Sequence, residues 1–540
     1  MKTAPFAPIP ELSDIPAGER TATVELLLSI CHHQQEQLQL QREQLQQLKD
    51  EIARLKGGKG RPQIRPSRLS KDAAEEGAPG KEKKKRRRAK ARHKKTAELK
   101  IHDERIIQPE AIPAGSQFKG YETYVVQDIA FEIKNTKYLR ARYQTPAGKS
   151  IVGELPSAVA GSHFGAQLRS YILSQHYQQH VPQKLILKQL WQWGVVISSG
   201  QLNRLLIHAH EPFHEEKAQV LEAGLEVSSH LNVDDTGARH RGKNGHCTHI
   251  GNEWFAWFSS TESKSRINFL QLLRGEHADY IVDGVARGYM KAQKLPQAVL
   301  ALLAQDQACG DKSAWQAYLE RLGISNERHI RIATEGALVG SLVGHGLAPE
   351  LVIVSDDAGQ FKVAGFLNAL CWVHAERTIG QLIAFNDTHR QAQERVREQI
   401  WTFYKALKAY KRNPSAHRKR RLAKRFDELF TQKTAYHSLN LALRRLYDNK
   451  AELLLVLDRP DIPLHNNLSE NDIRDYVKRR KISTTTRSEA GRKARDTFLS
   501  LKKTCQKLGI SFWHYLHDRI SQNNEIAPLP NLIRAAAQGP

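Results

Sequence analysis

Apolar residues return every third or fourth position from Val24 onward. Val24, Leu27, Cys31, Leu38, Leu45, Leu48, Ile52 and Leu55 occupy the a and d positions of a heptad that Gln34 and Gln41 interrupt. Glu, Gln, Arg and Lys fill most other positions, as a helix that pairs with another helix requires. Residues 24–56 therefore read as a coiled coil joining copies of the chain into a homo-oligomer, with a helix docked on its own domain as the alternative. Gly57-Gly58-Lys59-Gly60 ends the pattern, and residues 57–106 read as a basic disordered linker. It contains Lys83-Lys84-Lys85-Arg86-Arg87-Arg88, which suits a DNA-binding tail or a nuclear address equally well.

Periodicity then changes. Residues 107–156 alternate β-rich runs with turn signals and read as a small β-rich domain. Residues 157–227 read as helices. Within them Trp193-Gly194 supplies a turn and Ser198 a cap before Gln201-Leu202-Asn203-Arg204, a helix-turn-helix-like DNA-binding region. There the Gln201 and Asn203 amides can read adenine edges in the major groove. From residue 228 strand and helix patterns alternate, with 232–237, 248–259 and 351–355 the clearest strands, so 228–365 and 458–519 form an α/β core. Between them 366–457 is continuously helical and basic, a helical insertion carrying Arg418-Lys419-Arg420-Arg421, and 520–540 is a C-terminal tail. The chain is thus multidomain, as 540 residues require.

Charge decides the class of partner. Lys and Arg number 82 against 57 Asp and Glu, a net +25. Such an excess calls for a polyanion, nucleic acid before a membrane surface. No apolar run is long enough to span a bilayer, and the N-terminus lacks a signal-peptide core. Five scattered cysteines without paired spacing argue against a disulfide framework and for a reducing, cytoplasmic setting.

The chemistry is concentrated in three acidic segments: Leu-Asn-Val-Asp-Asp-Thr-Gly around Asp234, Val-Ile-Val-Ser-Asp-Asp-Ala-Gly around Asp356, and Asn-Asn-Leu-Ser-Glu-Asn-Asp around Glu470. The first two set an Asp at the end of a β-branched run, and the third sets a Glu at the start of a basic helix. Hard oxygen ligands without a thiolate set suit paired Mg²⁺ or Mn²⁺, which clamp the attacking and leaving oxygens of a phosphodiester. Successive strand residues face opposite sides, so one Asp of each pair is expected at the metals, the first in each case. Arg474 and Lys478 follow Glu470 at intervals of four and continue into Arg479, a row of cations for DNA phosphates. His240, His246, Cys247 and His249 lack zinc-finger spacing. They read instead as a hairpin turning at Asn244-Gly245, with Arg239, Arg241 and Lys243 towards DNA. His374 and Arg377 follow the second acid on a helix and suit a place near the scissile phosphate equally with a packed helix face.

Asp234-Asp235-Thr236, Ser355-Asp356-Asp357, Cys371-Trp372-Val373-His374-Ala375-Glu376-Arg377 and Asn467-Leu468-Ser469-Glu470-Asn471-Asp472-Ile473-Arg474 occur in the order and context that resemble the insertion sequence 66 family of DDE transposases. The resemblance covers roughly residues 165–519. It implies a ribonuclease H-like catalytic core, with Asp234, Asp356 and Glu470 as catalytic metal ligands and Mg²⁺ or Mn²⁺ as cofactor. It also implies DNA partners, namely the element's terminal inverted repeats and target DNA, with accessory transposition proteins beside them. The expected reaction is hydrolysis of one strand at the element's end, then attack of the freed 3′-hydroxyl on target DNA, in a bacterial, nucleoid-associated protein. Two features depart from the family: residues 107–156 hold no cysteine where many members carry a zinc domain, and Asp235 and Asp357 replace the usual neighbours of the first two acids. A catalytically silent dimeric DNA-binding protein and a ribonuclease H-like nuclease are the alternatives.

Overall fold

The computed structural model describes residues 16, 21–55, 101–108, 111, 116–117, 120–122, 124–128, 132–156 and 162–539. The basic run 83–88 lies outside them. Helix α1 (Ala22–Leu55) is uninterrupted, leaves Leu26, Leu27, Ile30 and Leu38 exposed, and touches the helix His437–Asp448. Strands β1 (Arg142–Gln144) and β2 (Ser150–Val152) form an exposed antiparallel pair. This pair is the only regular structure among the described residues of 107–156.

Helices α2 (Ala166–Leu173), α3 (Gln183–Gln192), α4 (Ser199–Ile207) and α5 (Glu211–Val227) follow. The local chemistry of α4 is the one its sequence dictates. Ser198 Oγ accepts from the Gln201 N–H, and the Gln201 side chain accepts from the Ser198 N–H, so two otherwise orphaned donors are satisfied by one box. Gly194, at φ 83°, turns the chain between α3 and α4.

Strands β3 (His230–His240), β4 (Lys243–Gly251) and β5 (Ala256–Thr261) form an antiparallel meander. After α6 (Arg266–Leu273) come the two strands of a small antiparallel sheet, β6 (Tyr280–Val282) and β7 (Gln307–Cys309), with helices α7 (Gly284–Ala292) and α8 (Gln297–Leu302) between them, and then helices α9 (Lys312–Arg321) and α10 (Glu327–Gly344). The chain then returns to the main sheet with β8 (Val352–Ser355) and β9 (Leu367–Leu370). Both run parallel to β3, giving a mixed sheet in the order β5-β4-β3-β8-β9. Helices α11 (Trp372–Gly380), α12 (Asp387–Arg412), α13 (Ala416–Phe430), α14 (His437–Asp448) and α15 (Lys450–Leu453) bury Trp372, Phe403, Phe426 and Leu443 in a second core that also takes in Val352 and Val354 of β8 and Ala369 and Leu370 of β9. Helix α16 (Asn467–Ser483), strand β10 (Thr485–Thr486, parallel to β3), α17 (Glu489–Lys507), α18 (Phe512–Ser521) and α19 (Leu529–Ala537) complete the fold.

The architecture is multidomain, mostly helical, and built around one mixed sheet, with four local departures from expectation. The β3–β4 turn is Arg241-Gly242, both at positive φ, as a two-residue hairpin needs. Gly245 is a strand residue, where a Cβ would come within 2.9 Å of the carbonyls of Ala238 and Thr261. Residues 248–259 are two strands, because Asn252 Oδ1 accepts from the Trp254 and Phe255 N–H groups and turns the chain. The range given to the helical insertion begins with β9, a four-residue strand too short for periodicity to classify. The C-terminal tail contains α19, whose Leu529 N–H donates to Glu216 on α5.

Gly224 tests the packing of α5 on the sheet. A Cβ there would lie 2.6 Å from the Phe255 ring, so Gly224→Ala is expected to cost about 1–3 kcal/mol by overpacking. Gly200→Ala, on exposed α4 with nothing nearer than 3.9 Å, is expected to be neutral or stabilising by up to ~1 kcal/mol. Thermal denaturation of the two variants checks the contrast.

Candidate active site

Register brings the first two acids together. The parallel ladder pairs His230 with Val352 and Asn232 with Val354, and the same register carried two residues further sets Asp234 level with Asp356. Neighbouring strands lie about 4.8 Å apart, and the charge of Asp356 is close enough to act on the Asp234 carboxyl. Glu470 arrives from above, in the first turn of α16, its N–H bonded to the Asn466 carbonyl. Burial pushes the Asp234 carboxyl up to about 7, and the charges of Asp356, Asp235 and Glu470 add to that rise against the Asp235 N–H, which donates to Asp234 Oδ1 at 2.7 Å. The acids therefore share one electrostatic environment. Among the described residues, no three His, Cys, Asp or Glu side chains converge closely enough to hold a metal ion as they stand.

The paired aspartates divide their work. Asp235 accepts from the Gln360 amide and lies 3.9 Å from Lys264 Nζ. Asp357 pairs with Lys362 and Arg445, whose hydrogen bonds and charges hold its carboxyl below the usual range although burial opposes them. Asp234 and Asp356 form no salt bridge with a described residue; Asp356 Oδ1 accepts only the Ala358 N–H, closing a local turn. Glu470 Oε1 is buried without a hydrogen-bond partner, 3.6 Å from both His374 Nε2 and an Arg377 guanidinium nitrogen. Burial lowers the His374 imidazole, Arg377 lowers it further, and Glu470 and Asp356 pull it back up. Asp356, His374 and Arg377 line a cleft of about 380 Å³ whose far wall is Arg445 and Asn449.

The expected DNA-contacting residues separate into two groups. Arg474 and Lys478 are exposed on α16, one and two turns beyond Glu470, and Arg239 and Lys243 are exposed on the β3–β4 hairpin. Arg377 is half-buried beside Glu470. Arg479 does not belong to this row, because its position on α16 faces inward: it is buried, and its guanidinium donates to the His176 carbonyl and contacts the His176 ring. Gln201 spends its side-chain oxygen on the α4 cap, and Asn203 is half-buried on the same helix.

What fixes α16 is a buried ionic seam that no local motif announces. His249, fully buried on β4, has Nδ1 2.8 Å from Ser469 Oγ and Nε2 3.3 Å from Asp472. Asp472 also meets Lys507 at 3.0 Å, while Asp475 meets Lys502 at 2.9 Å and Lys503 at 3.0 Å. The lysines recur along α17, so the seam locks α16 to α17 and both to the sheet.

A mixed sheet with acids at its centre and basic helices around them has the build of an enzyme that handles a polyanion. The family model described as Transposase IS66 family matches residues 161–297 and 343–494, more than half of the chain, and the chain belongs to that family. It is accordingly related to insertion-sequence transposases, which are DNA-processing enzymes. All three acids fall inside the matched segments. The chain is also 45% identical over 324 residues to uncharacterized protein y4jO of Sinorhizobium fredii (strain NBRC 101917 / NGR234), covering 59% of this chain and all of that protein.

The seam carries a pH signature. Burial alone would raise Asp475, but Lys502 and Lys503 outweigh it and hold the carboxyl at about 2; Asp472 is held lower still by His249 and Lys507. A depressed folded value gives stability that is present above the ordinary carboxylate range near ~3.9 and lost as pH falls through that range towards the folded value. Asp475→Asn is therefore expected to melt below the wild type at about pH 6, with the gap closing towards about pH 2. Melting curves across that range check it.

Proposed function

We propose that this chain is a DDE-type DNA transposase that binds the terminal inverted repeats of its element and cuts and joins DNA with divalent metal. The observation that supports this reading is the register of β3 and β8, whose last pair, Asn232 with Val354, lies two residues before Asp234 and Asp356, together with Glu470 in the first turn of α16. The sheet order, three antiparallel strands followed by two parallel ones, supports a ribonuclease H-like core with α11–α15 as its helical insertion. Asp234, Asp356 and Glu470 are the proposed catalytic and metal-binding residues. Their all-oxygen donor set suits Mg²⁺ or Mn²⁺, with a buried Glu470 oxygen that accepts no hydrogen bond and an Asp234 carboxyl, raised mainly by burial, that has no salt-bridge partner among the described residues. Two such cations supply activation of the attacking oxygen and stabilisation of the leaving one.

The chain's own residues do the rest. Asp235 and Asp357 are committed to Gln360, Lys264, Lys362 and Arg445, which supports the first Asp of each pair as the ligand. Arg377, Arg474 and Lys478, with Arg239 and Lys243 on the hairpin, neutralise DNA phosphates led to the acids. Asn203 and the α3–α4 hairpin contribute to end recognition in the proposed DNA-binding region. Helix α1, with Leu26, Leu27, Ile30 and Leu38 exposed, forms a coiled coil with a second copy. No helix among the described residues is long and apolar enough to cross a membrane, and the proposed setting is the bacterial nucleoid.

Asp234→Ala, Asp356→Ala and Glu470→Ala are each expected to abolish DNA cleavage while leaving gel-shift affinity within about threefold, because each removes a ligand and none removes a phosphate contact. Asp235→Ala and Asp357→Ala are expected to retain measurable cleavage. Loss in Asp235→Ala with survival in Asp234→Ala would move the ligand by one residue; survival in all three acid variants would remove the metal mechanism.

A further inference from the structure

Asn466 is fully buried four residues before Glu470, and every polar group it carries is bonded towards one of the three acids. Its Nδ2 donates to the Val233 carbonyl at 2.7 Å, next to Asp234. Its Oδ1 accepts from Asn232 Nδ2 at 2.9 Å, on the same face of β3 as Asp234. Its backbone N–H donates to Cys371 Sγ at 3.1 Å, and the Cys371 N–H in turn donates to the Ser355 carbonyl at 2.9 Å, next to Asp356. Its carbonyl accepts the Glu470 N–H at 3.2 Å.

The arrangement has a physical reason. The β3–β8 ladder stops at Asn232 and Val354, one residue short of Val233, and the carboxylates lie just beyond that end. Pairing with β8 sets the register of the two strands up to that end, and bonds other than this ladder must hold the segments beyond it. An amide presents a donor and an acceptor in one plane, so a single Asn serves β3 twice and keeps its backbone for the other two segments. Asp at this position would lack the donor, and Ala would orphan both the Val233 carbonyl and the Asn232 amide in a buried setting. Burial pushes the Cys371 thiol up to about 11, so it stays neutral and leaves the charge at the site to the acids.

We infer that Asn466, with Asn232 as its partner, is the positioning residue that sets the mutual spacing of Asp234, Asp356 and Glu470. The inference rests on the reading of these acids as a divalent-cation site. Outer groups that orient metal ligands alter metal affinity by about 10–100-fold when removed. Asn466→Ala is accordingly expected to weaken Mn²⁺ binding to the full-length, DNA-free protein by about that factor. Asn232→Ala, which leaves the Asn466–Val233 bond in place, should weaken it less.

The experiment is titration with Mn²⁺ followed by electron paramagnetic resonance, with melting temperature and gel-shift affinity in chelator measured alongside. Leu319→Ala, in the buried face of α9 away from the acids, serves as a variant that loses stability without touching the hub. Weakened Mn²⁺ binding in the Asn466 and Asn232 variants, with DNA affinity kept and Leu319→Ala binding as wild type, supports the inference. Asn232→Ala decides the question if Asn466→Ala does not fold. Unchanged Mn²⁺ binding in the foldable hub variants overturns it, as does equal weakening in Leu319→Ala. Wild-type protein that binds no Mn²⁺, or binds it regardless of Asp234→Ala, overturns the cation-site reading itself and this inference with it.

Discussion

The parallel pairing of β3 with β8 is the constraint on which the rest of this molecule depends. Backbone hydrogen bonds over His230–Asn232 and Val352–Val354 fix which residue of one strand stands beside which residue of the other. A slip of one residue between them would turn one of the two first Asp residues to the face opposite the other and present its neighbour in its place. Slip is opposed from both sides. Leu231, Val233, Ile353 and Val354 are all buried, and the second Asp of each pair is bound to its own cations or amide. The hydrophobic pattern and the ionic pattern thus select the same register, the agreement between levels that lets a sequence specify one structure.

Placing like charges together is unfavourable, and the fold meets that cost by anchoring the elements that carry them. Glu470 stands on a helix whose opposite face is tied to α17 through Asp472, Asp475 and their lysines, and to β4 through His249. Buried ion pairs of this sort add little net stability over an apolar seam but are strongly unfavourable to break singly. They define where α16 sits more than how tightly. The Asp234 carboxyl is raised first by burial, and the repulsion of Asp356, Asp235 and Glu470 adds to that rise. In the proposed reaction a divalent cation relieves it.

Much of this was legible along the chain. Asp356 closes a β-branched run, Glu470 opens a helix, and Ser198 marks the start of α4, all within windows of a few residues, whereas Asp234, expected at a strand end, lies in the middle of β3 because pairing with β4 carries the strand on to His240. What was not legible depends on partners far away in sequence. Arg479 reads as one more exposed cation until α16 is rotated against His176, 303 residues distant. Arg445, which holds Asp357 from 88 residues away, lies in a helix whose repeat shows only its own amphipathicity. Asn466 is an ordinary helix-entry residue by type, and its role arises only when three segments meet around it. The turn at Arg241-Gly242 was hidden by a stronger local signal at Asn244-Gly245, where glycine answers a close approach inside the sheet and not a turn. The identity of β9 was lost because four residues carry too little periodicity to separate strand from helix.

The central claim is that the segments of Asp234, Asp356 and Glu470 together surround the site where divalent cation binds. Replacing that cation with Fe²⁺ and generating hydroxyl radicals in place with ascorbate and peroxide would cut the backbone only near the metal. The account predicts cuts clustered next to all three acids, suppressed together by excess Mg²⁺ and absent in Asp234→Ala. Cuts confined to one segment, or clustered elsewhere in the chain, would contradict it.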